Sequence, residues 1–169
     1  MMQARPYEGM HDLYAMLNLL AEGRKANNGT YYVHVGDLQW WLFYTDLPPQ
    51  TWQSNIRLWM QDGRLIGWAL LSHDEDAFDV FADPRLRGDV REHEMFAWAV
   101  EKMSAHDDVQ NIWVAEDDEA RIHWLEGHGF AVRTATPSSS SELYLERWMC
   151  RRYPKDSASE LRAARRMLN

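Results

Sequence analysis

The sequence predicts an α/β (α+β) domain in which a sheet of six to seven strands carries four helices, and three observations support this fold class. The 169 residues suffice for one buried core and are short for two. Segments with strand and helix character follow one another in the order β-α-α-β-β-β-α-β-α-β-β. The pair Asp62-Gly63 separates two strand-like runs, which is the strongest short-range signal for a β-hairpin.

The N-terminal third supplies the first strand and two helices. Residues 3–7 are typical of a short strand, and residues 9–22 carry Leu and Met side chains at helical spacing. Residues 34–47 form a second, Trp-rich helical pattern. It ends at Pro48-Pro49, because proline cannot continue a helix.

The middle of the chain supplies three consecutive strands and the loop on which the functional argument depends. The hairpin strands are predicted at 54–61 and 64–72. A third strand at 78–82 leads through a loop containing Arg and Gly into an amphipathic helix that ends near Met103. The first amides of a helix have no internal partners, so a basic, glycine-bearing loop at this point favours an anion such as phosphate.

The C-terminal third supplies the remaining elements. Strands are predicted at 111–115, 130–136 and 142–148, and a helix at 118–128. Together these elements predict a single domain over residues 1–150. Residues 151–169 hold six Lys or Arg against two acids, and we expect a basic C-terminal tail or short helix there.

Composition argues against several classes of function. The net charge of -8 disfavours nucleic-acid binding, because a phosphate backbone needs a dense basic face. The sequence has no apolar run of membrane-spanning length, so we expect no membrane insertion and a cytoplasmic location. Its one cysteine, Cys150, cannot form an internal disulfide. We expect no metal, since the pair His123 and His128 misses the spacing of three or four that neighbouring ligands on a helix require.

Three stretches resemble the Gcn5-related N-acetyltransferase (GNAT) family. They are DGRLIGWALL in the hairpin, FADPRLRG leading into a helix, and EARIHWLEGHGFAVR, a helix ending in Gly-Phe before a strand. Their order and spacing extend the resemblance over about residues 3–149. The resemblance implies a mixed, twisted, mostly antiparallel sheet that splays between its fourth and fifth strands. It also implies acetyl-coenzyme A (acetyl-CoA) as the co-substrate bound in that opening.

The resemblance further implies a coenzyme-binding loop. In the family, the loop pattern is Gln or Arg, two residues, Gly, one residue, then Gly or Ala, and its backbone amides hold the pyrophosphate. Arg85 and Gly88 match this pattern, and Val90 departs from it. With the strand whose amides would hold the thioester, the implied binding residues are Phe81, Ala82, Arg85, Arg87, Gly88, Asp89, Val90 and Arg91.

Residues of this loop favour opposite outcomes. The β-branched Val90 would crowd the approach of the backbone to a pyrophosphate. Asp89 and Glu92 form a pattern resembling a capping box, which would occupy the same amides and add negative charge. The loop arginines offer cationic donors to a diphosphate, or they pair with nearby acids in a purely structural crossover.

Catalytic candidates are carboxylates at strand ends. The family usually supplies a Tyr to protonate the departing thiolate, four residues before the Gly of the Gly-Phe pair, and Leu125 stands there. Asp79 on the third of the consecutive strands and Glu116 after the next strand are the candidate bases that would accept a proton from an amine. Asp76 and Asp117 are further carboxylates nearby, and solvated surface charge is the alternative explanation for any of these acids.

An aromatic set precedes the hairpin. Trp40, Trp41, Phe43 and Tyr44 lie where the family commonly forms one wall of its acceptor site. They could give a flat apolar pocket for an amine whose ammonium is drawn in by acidic charge. Core packing or a dimer interface explains them equally well.

Two functions of different classes therefore remain open. The first is an acetyl-CoA-dependent N-acyltransferase acting on a primary amine of a small molecule or peptide. The second is a catalytically inactive module of the same fold with a structural or ligand-sensing role. The inactive module would pair with another acetyltransferase domain, and a homodimer is a further candidate assembly.

Overall fold

The computed structural model describes residues 1–26, 36, 38–39, 42, 49–72, 76–105, 110–115, 118–134 and 147–152. The strands are β1 (Met2–Pro6), β2 (Ile56–Gln61), β3 (Arg64–Ser72), β4 (Ala77–Ala82), β5 (Gln110–Ala115), β6 (Phe130–Thr134) and β7 (Arg147–Arg152). The helices are α1 (Met10–Ala26), α2 (Pro49–Asn55), α3 (Val90–Ser104) and α4 (Glu119–Gly127), with a 3-10 turn at Pro84–Leu86. Among the helices that the structure describes, none combines the length and apolarity needed to span a bilayer.

The strands form one seven-stranded mixed sheet in the order β1-β2-β3-β4-β5-β7-β6. Strands β1 to β4 pair antiparallel, β4 and β5 pair parallel, and the β5-β7-β6 half is antiparallel again. This arrangement confirms the predicted α/β (α+β) class with a mostly antiparallel sheet. The Asp62-Gly63 hairpin is also confirmed, since both residues have positive φ, 52° and 77°, as a type I′ turn requires.

The sheet splays between β4 and β5. Their only register pair is Ala77 with Asn111, where the Asn111 N–H donates to the Asp76 carbonyl at 2.7 Å. Beyond this link the two strands diverge toward the C-terminal end of β4. The opening implied by the resemblance is thus present, and it faces the loop that follows β4.

Helices cover both faces of the sheet, and each face has its own apolar cluster. On one face, α3 and α4 cover a cluster built around Val80, Met95 and Phe96. On the other face, α1 and α2 cover a cluster that includes Trp68 and Phe81, whose rings stack at 5.7 Å. Alternation along β4 therefore separates its side chains between the two clusters.

Two elements differ from the sequence-based prediction. Helix α2 was not predicted, because Pro48-Pro49 indicated only a helix end, whereas Pro49 is the first residue of a new helix and proline is favoured at that position. The last strand, predicted at 142–148, covers Arg147–Arg152 in the described part of the chain and so runs past its predicted end, with Cys150 opposite Ile112 and Val132. The residues 142–146 lie outside the described part of the chain.

Other predictions fall wholly or partly outside the described residues. Of the predicted helix 34–47, the described residues Gly36, Leu38, Gln39 and Leu42 are helical. The residues Trp40, Trp41, Phe43, Tyr44, Glu116 and Asp117 are not among those described. The division of the chain at residue 150 stays a prediction, with β7 running two residues past it.

A partly buried ion pair joins the first strand to the first helix. Asp12, 3% exposed, accepts from Arg5 Nη1 at 2.7 Å and from Nη2 at 2.5 Å, and also from the Glu8 N–H at 2.8 Å. The hydrogen bonds from Arg5 hold the pKa of Asp12 below its ordinary value despite its burial. The pair thus stabilises the start of α1 against the edge of the sheet.

We expect Asp12→Asn to lower the free energy of unfolding at pH 7 by about 1.5–3 kcal/mol, because it removes hydrogen bonds between charged groups. A carboxylate with a depressed folded-state pKa stabilises above its unfolded pKa, about 3.9, and loses that contribution as pH falls through the folded value. The difference in the free energy of unfolding between Asp12→Asn and wild type should therefore become smaller in acid. Urea unfolding at pH 7 and pH 3 measures both quantities.

The matched control is Glu8→Gln. Its carboxylate lies 3.9 Å from Arg5 but is 69% exposed, so we expect a change below about 1 kcal/mol. If Asp12→Asn and Glu8→Gln lower the free energy of unfolding equally, the Arg5–Asp12 pair does not stabilise the fold as we expect.

Candidate functional site

The loop between β4 and α3 is shaped by its own carboxylates. The Asp83 N–H donates to the Ile66 carbonyl at 2.8 Å, which anchors the start of the loop to β3. The Asp83 side chain then accepts from the Arg85 N–H at 3.0 Å and caps the 3-10 turn. Gly88 has φ +72°, a conformation that side chains disfavour, and α3 begins two residues later.

The backbone amides of this loop are largely paired inside the chain. The Arg87 N–H donates to the Pro84 carbonyl at 3.2 Å and the Asp89 N–H to the Leu86 carbonyl at 2.8 Å. The Gly88 N–H donates to Glu92 Oε2 at 2.7 Å. The Arg91 N–H donates to Asp89 Oδ1 at 2.9 Å. For the remaining amide, that of Val90, no partner lies among the described residues.

The predicted capping pattern is therefore present in a modified form. Asp89 is the N-cap of α3 and bonds the amide of Arg91, whereas Glu92 reaches past Asp89 to the amide of Gly88. Val90 itself is 76% exposed. An incoming diphosphate would meet amides that already have partners, and the carboxylates of Asp89 and Glu92 beside them.

Each loop arginine is paired with a carboxylate, and the three point to different neighbours. Arg85 bonds Asp83 through Nε at 2.9 Å and Nη2 at 2.5 Å. Arg91 bonds Asp89 through Nε at 2.8 Å and through Nη2 at 2.9 Å, and donates to the Gln61 side chain at 2.8 Å. These arginines hold the pKa values of Asp83 and Asp89 below their ordinary range.

The third loop arginine joins a buried charge network. Arg87 donates to Glu92 Oε1 at 3.2 Å and forms an ion pair with Asp118. Glu92 also accepts from Arg121 Nη2 at 2.7 Å, and both side chains are buried, at 7% and 4% exposed. Burial would raise the pKa of Glu92, but Arg121, the Gly88 N–H and Arg87 together hold it below its ordinary value. Glu92 is thus a fixed anion at the start of α3.

Arg121 reaches from α4 toward the splayed strands. Its Nη1 lies 3.4 Å from the Val80 carbonyl on β4, and its guanidinium lies 4.9 Å from the centre of the Phe96 ring. A buried donor from α4 therefore reaches the backbone of β4.

A cavity of about 200 Å³ opens beside this network. One wall is aromatic, because Trp124 stacks between His93 at 5.3 Å and His128 at 3.9 Å. The cavity is smaller than the roughly 300–1,000 Å³ typical of ligand pockets. Its lining residues are Arg87, Gly88, Glu92, His93, Phe96, Ala120, Arg121 and Trp124.

Of the predicted coenzyme-binding residues, the structure brings only part to this cavity. Arg87 and Gly88 line it. Ala82 is buried in the cluster under α3, and Phe81 is buried in the cluster on the other face. The side chains of Arg85 and Arg91 turn to Asp83 and Asp89 and are not among its lining residues.

Of the two predicted catalytic residues, Asp79 is not among the residues that line the cavity. Asp79 is 5% exposed and lies two residues from Phe81, on the face of β4 that α1 covers. Glu116 lies outside the described residues. Leu125, at the position of the family's Tyr, is fully buried in the apolar core. In the described part of the chain, no group of three His, Cys, Asp or Glu residues could hold a metal ion.

The fold and the loop together define a splayed mixed sheet with a candidate coenzyme cleft, and comparison with known proteins identifies the fold. No family model matches the sequence, and no curated protein sequence matches it either. Solved structures do match over most of the chain. The chain has the fold of the GNAT acetyltransferases.

Three of these structures illustrate the likeness. An acetyltransferase from Streptococcus agalactiae aligns with TM-score 0.68 and 13% identity over 90% of this chain and 98% of its own. A GNAT-family acetyltransferase from Staphylococcus aureus aligns with TM-score 0.67 and 12% identity over 92% and 100%. The PaiA N-acetyltransferase from Thermoplasma acidophilum, solved with coenzyme A, aligns with TM-score 0.60 and 12% identity over 90% and 99%.

The residue that sequence reasoning missed is Arg121. It lies in the stretch that carried the resemblance to the family, but a single Arg in a helix is ordinarily a solvated charge. Its burial depends on Glu92, which is 29 positions away. The one local signal was the Asp89 and Glu92 pattern, which indicated that a carboxylate would occupy this end of α3.

Proposed function

We propose that this protein is an acyltransferase that uses acetyl-CoA to acylate a primary amine of a small molecule or peptide. The observation that carries the proposal is the splay of β4 from β5, directly beside the loop into α3. The fold is shared with acetyltransferases over nine-tenths of the chain, which supports the proposal. Acyl transfer in such a cleft depends mainly on positioning the amine against the thioester.

Part of the loop fits a diphosphate. Arg87 offers a cationic fork, and Gly88 brings the backbone close at a positive φ that other residues disfavour. Glu92 does not fit, because its carboxylate holds the Gly88 amide. The four arginines 85, 87, 91 and 121 are balanced by the four carboxylates 83, 89, 92 and 118. Binding of the coenzyme therefore requires some of these pairs to open.

The chemistry we propose for this chain's own residues is limited. Acetyl-CoA supplies the activated acyl group. Asp79 accepts the proton of the amine's ammonium form. The neutral nitrogen then bonds to the acyl carbon, the carbon–sulfur bond breaks, and the second amine proton passes to solvent. Because Leu125 has no proton to give, solvent protonates the departing thiolate. Glu116 remains a second candidate base.

A specific observation favours a second candidate function, a non-catalytic module of the same fold. Four of the five amides from Arg87 to Arg91 donate within the chain. A loop so paired is stable without a ligand. The module would then act as a structural or ligand-sensing partner of another acetyltransferase domain.

Thermal unfolding with increasing acetyl-CoA separates the two functions. A ligand that binds only the folded state stabilises it by about 2.7 kcal/mol at one hundred times its dissociation constant, so the midpoint should rise. ADP at equal ionic strength is the control for the diphosphate alone. No rise up to millimolar acetyl-CoA would exclude the acyltransferase. A rise with release of free thiol in the presence of amines would exclude the inactive module.

A further inference from the structure

Glu92 accepts hydrogen bonds from the groups of this loop that could hold a phosphate. Its two carboxylate oxygens accept from a backbone amide, that of Gly88 at 2.7 Å, and from two guanidinium groups, those of Arg87 at 3.2 Å and Arg121 at 2.7 Å. A phosphoryl oxygen at a helix N-terminus has the same kinds of partner.

The carboxylate is buried together with its partner Arg121. Its side chain is 7% exposed, which a glutamate tolerates only because its charge is paired. Its partners are drawn from the loop and from α4, so the network closes the space between the two helices that flank the splay. This is consistent with a cavity of about 200 Å³, which is too small for a whole coenzyme.

We propose that Glu92 is a tethered internal anion that holds the coenzyme loop closed, and that a diphosphate-bearing ligand binds by displacing it from Gly88, Arg87 and Arg121. This inference rests on the proposed function in one respect, the identity of the ligand as a coenzyme A thioester. Glu92 therefore sets the affinity of the loop for its ligand.

Displacement is physically feasible because of the position of Glu92. It is the third residue of α3, so rotation about its side-chain bonds moves the carboxylate without unwinding the helix. The ligand then takes over the amide and both arginines, and the released carboxylate regains water. Because the ligand replaces one anion with another, the amide and the two arginines keep an anionic partner and the network is not lost.

The test compares three variants by calorimetric titration with acetyl-CoA and, separately, with inorganic pyrophosphate. Glu92→Gln keeps the size of the side chain and removes the charge. We expect it to bind both ligands about 10- to 100-fold more tightly than wild type, because the competing charged hydrogen bonds are lost. Glu94→Gln, an exposed change on the same helix, should leave both affinities within about twofold, since solvent screens its charge.

A second variant covers the case in which Glu92→Gln is too unstable to study. Glu92→Met/Arg121→Met removes the pair together, and apolar replacement of a buried pair is often neutral for stability. It should still bind acetyl-CoA more tightly than wild type, by less than Glu92→Gln, because the ligand loses Arg121 as a partner.

Each outcome separates this inference from the proposed function. If wild type binds acetyl-CoA and the folded Glu92 variants bind it no more tightly, the inference that Glu92 is an internal anion is wrong, and the proposed acyltransferase function is retained. If no variant binds acetyl-CoA but Glu92→Gln gains affinity for pyrophosphate, the inference about Glu92 is retained and the proposed acyltransferase function is wrong. If the variants gain neither ligand, the internal anion is overturned.

Discussion

Arg121→Met should lower the free energy of unfolding by about 3–5 kcal/mol at pH 7, because removing one partner of a buried ion pair leaves an uncompensated charge. The charge left behind is that of Glu92, whose remaining partners are the Gly88 amide and Arg87. Since α4 also loses its contact with the β4 edge at the Val80 carbonyl, the loss should appear in chemical denaturation as a lower midpoint.

The pH dependence distinguishes this mechanism from a simple loss of packing. In wild type the pKa of Glu92 is held below its ordinary value. The ion pair of Glu92 with Arg121 therefore stabilises the fold at pH values above the unfolded pKa of Glu92, and this stabilisation is lost as pH falls. Without Arg121, only the Gly88 N–H and Arg87 offset the burial of Glu92, so its pKa rises toward the unfolded value and the stabilisation it gives above that value is reduced. The difference in the free energy of unfolding between wild type and Arg121→Met should therefore shrink below about pH 4.

Lys25→Met is the control for the loss of one positive charge. Lys25 is exposed near the end of α1, and such surface changes are usually within about 0.5 kcal/mol. If Arg121→Met lowers the free energy of unfolding by the same amount at pH 7 and at pH 3, lost packing, and not the buried carboxylate, accounts for the effect.

The fold could be predicted from the sequence because its signals are local. The Asp62-Gly63 turn fixes the central hairpin, and apolar periodicity marks α1, α3 and the strands that they cover. Helix α2 was missed because Pro49 can end one helix or begin another. The end of the last strand was missed because Arg151-Arg152 was assigned to the basic tail, although it pairs inside the sheet with β5 and β6.

The candidate site could be predicted only in part, for a related reason. The capping by Asp89 spans two residues, and its pattern is legible in the chain. The pairing of Glu92 with Arg121, or of Arg87 with Asp118, joins residues that only the tertiary fold brings together. The residue types in the loop indicated both an anion site and an internal cap. Only the structure shows that the carboxylates of Asp89 and Glu92 bond the loop amides.

The second large effect concerns Asp79. We expect Asp79→Asn to lower turnover by about 10²- to 10⁴-fold, the range that a positioned general base contributes. The substitution is nearly isosteric at a residue that is 5% exposed. Because Asp79 lies on the face of β4 opposite the Glu92 network, the affinity for acetyl-CoA should be unchanged. The measurement is thiol release with a primary amine that supports turnover, beside a titration with acetyl-CoA.

A base is needed only while the amine carries its proton, and this gives Asp79→Asn a signature that a structural defect would lack. As pH approaches the amine's own pKa, about 10 for a lysine-like acceptor, the ratio of wild-type to variant rates should narrow. Asp62→Asn is the control, because an Asn-Gly turn suits the hairpin equally well and lies away from the cleft. A rate deficit that is independent of pH, or weaker binding of acetyl-CoA, would remove Asp79 from the role of base and leave Glu116 as the carboxylate to test.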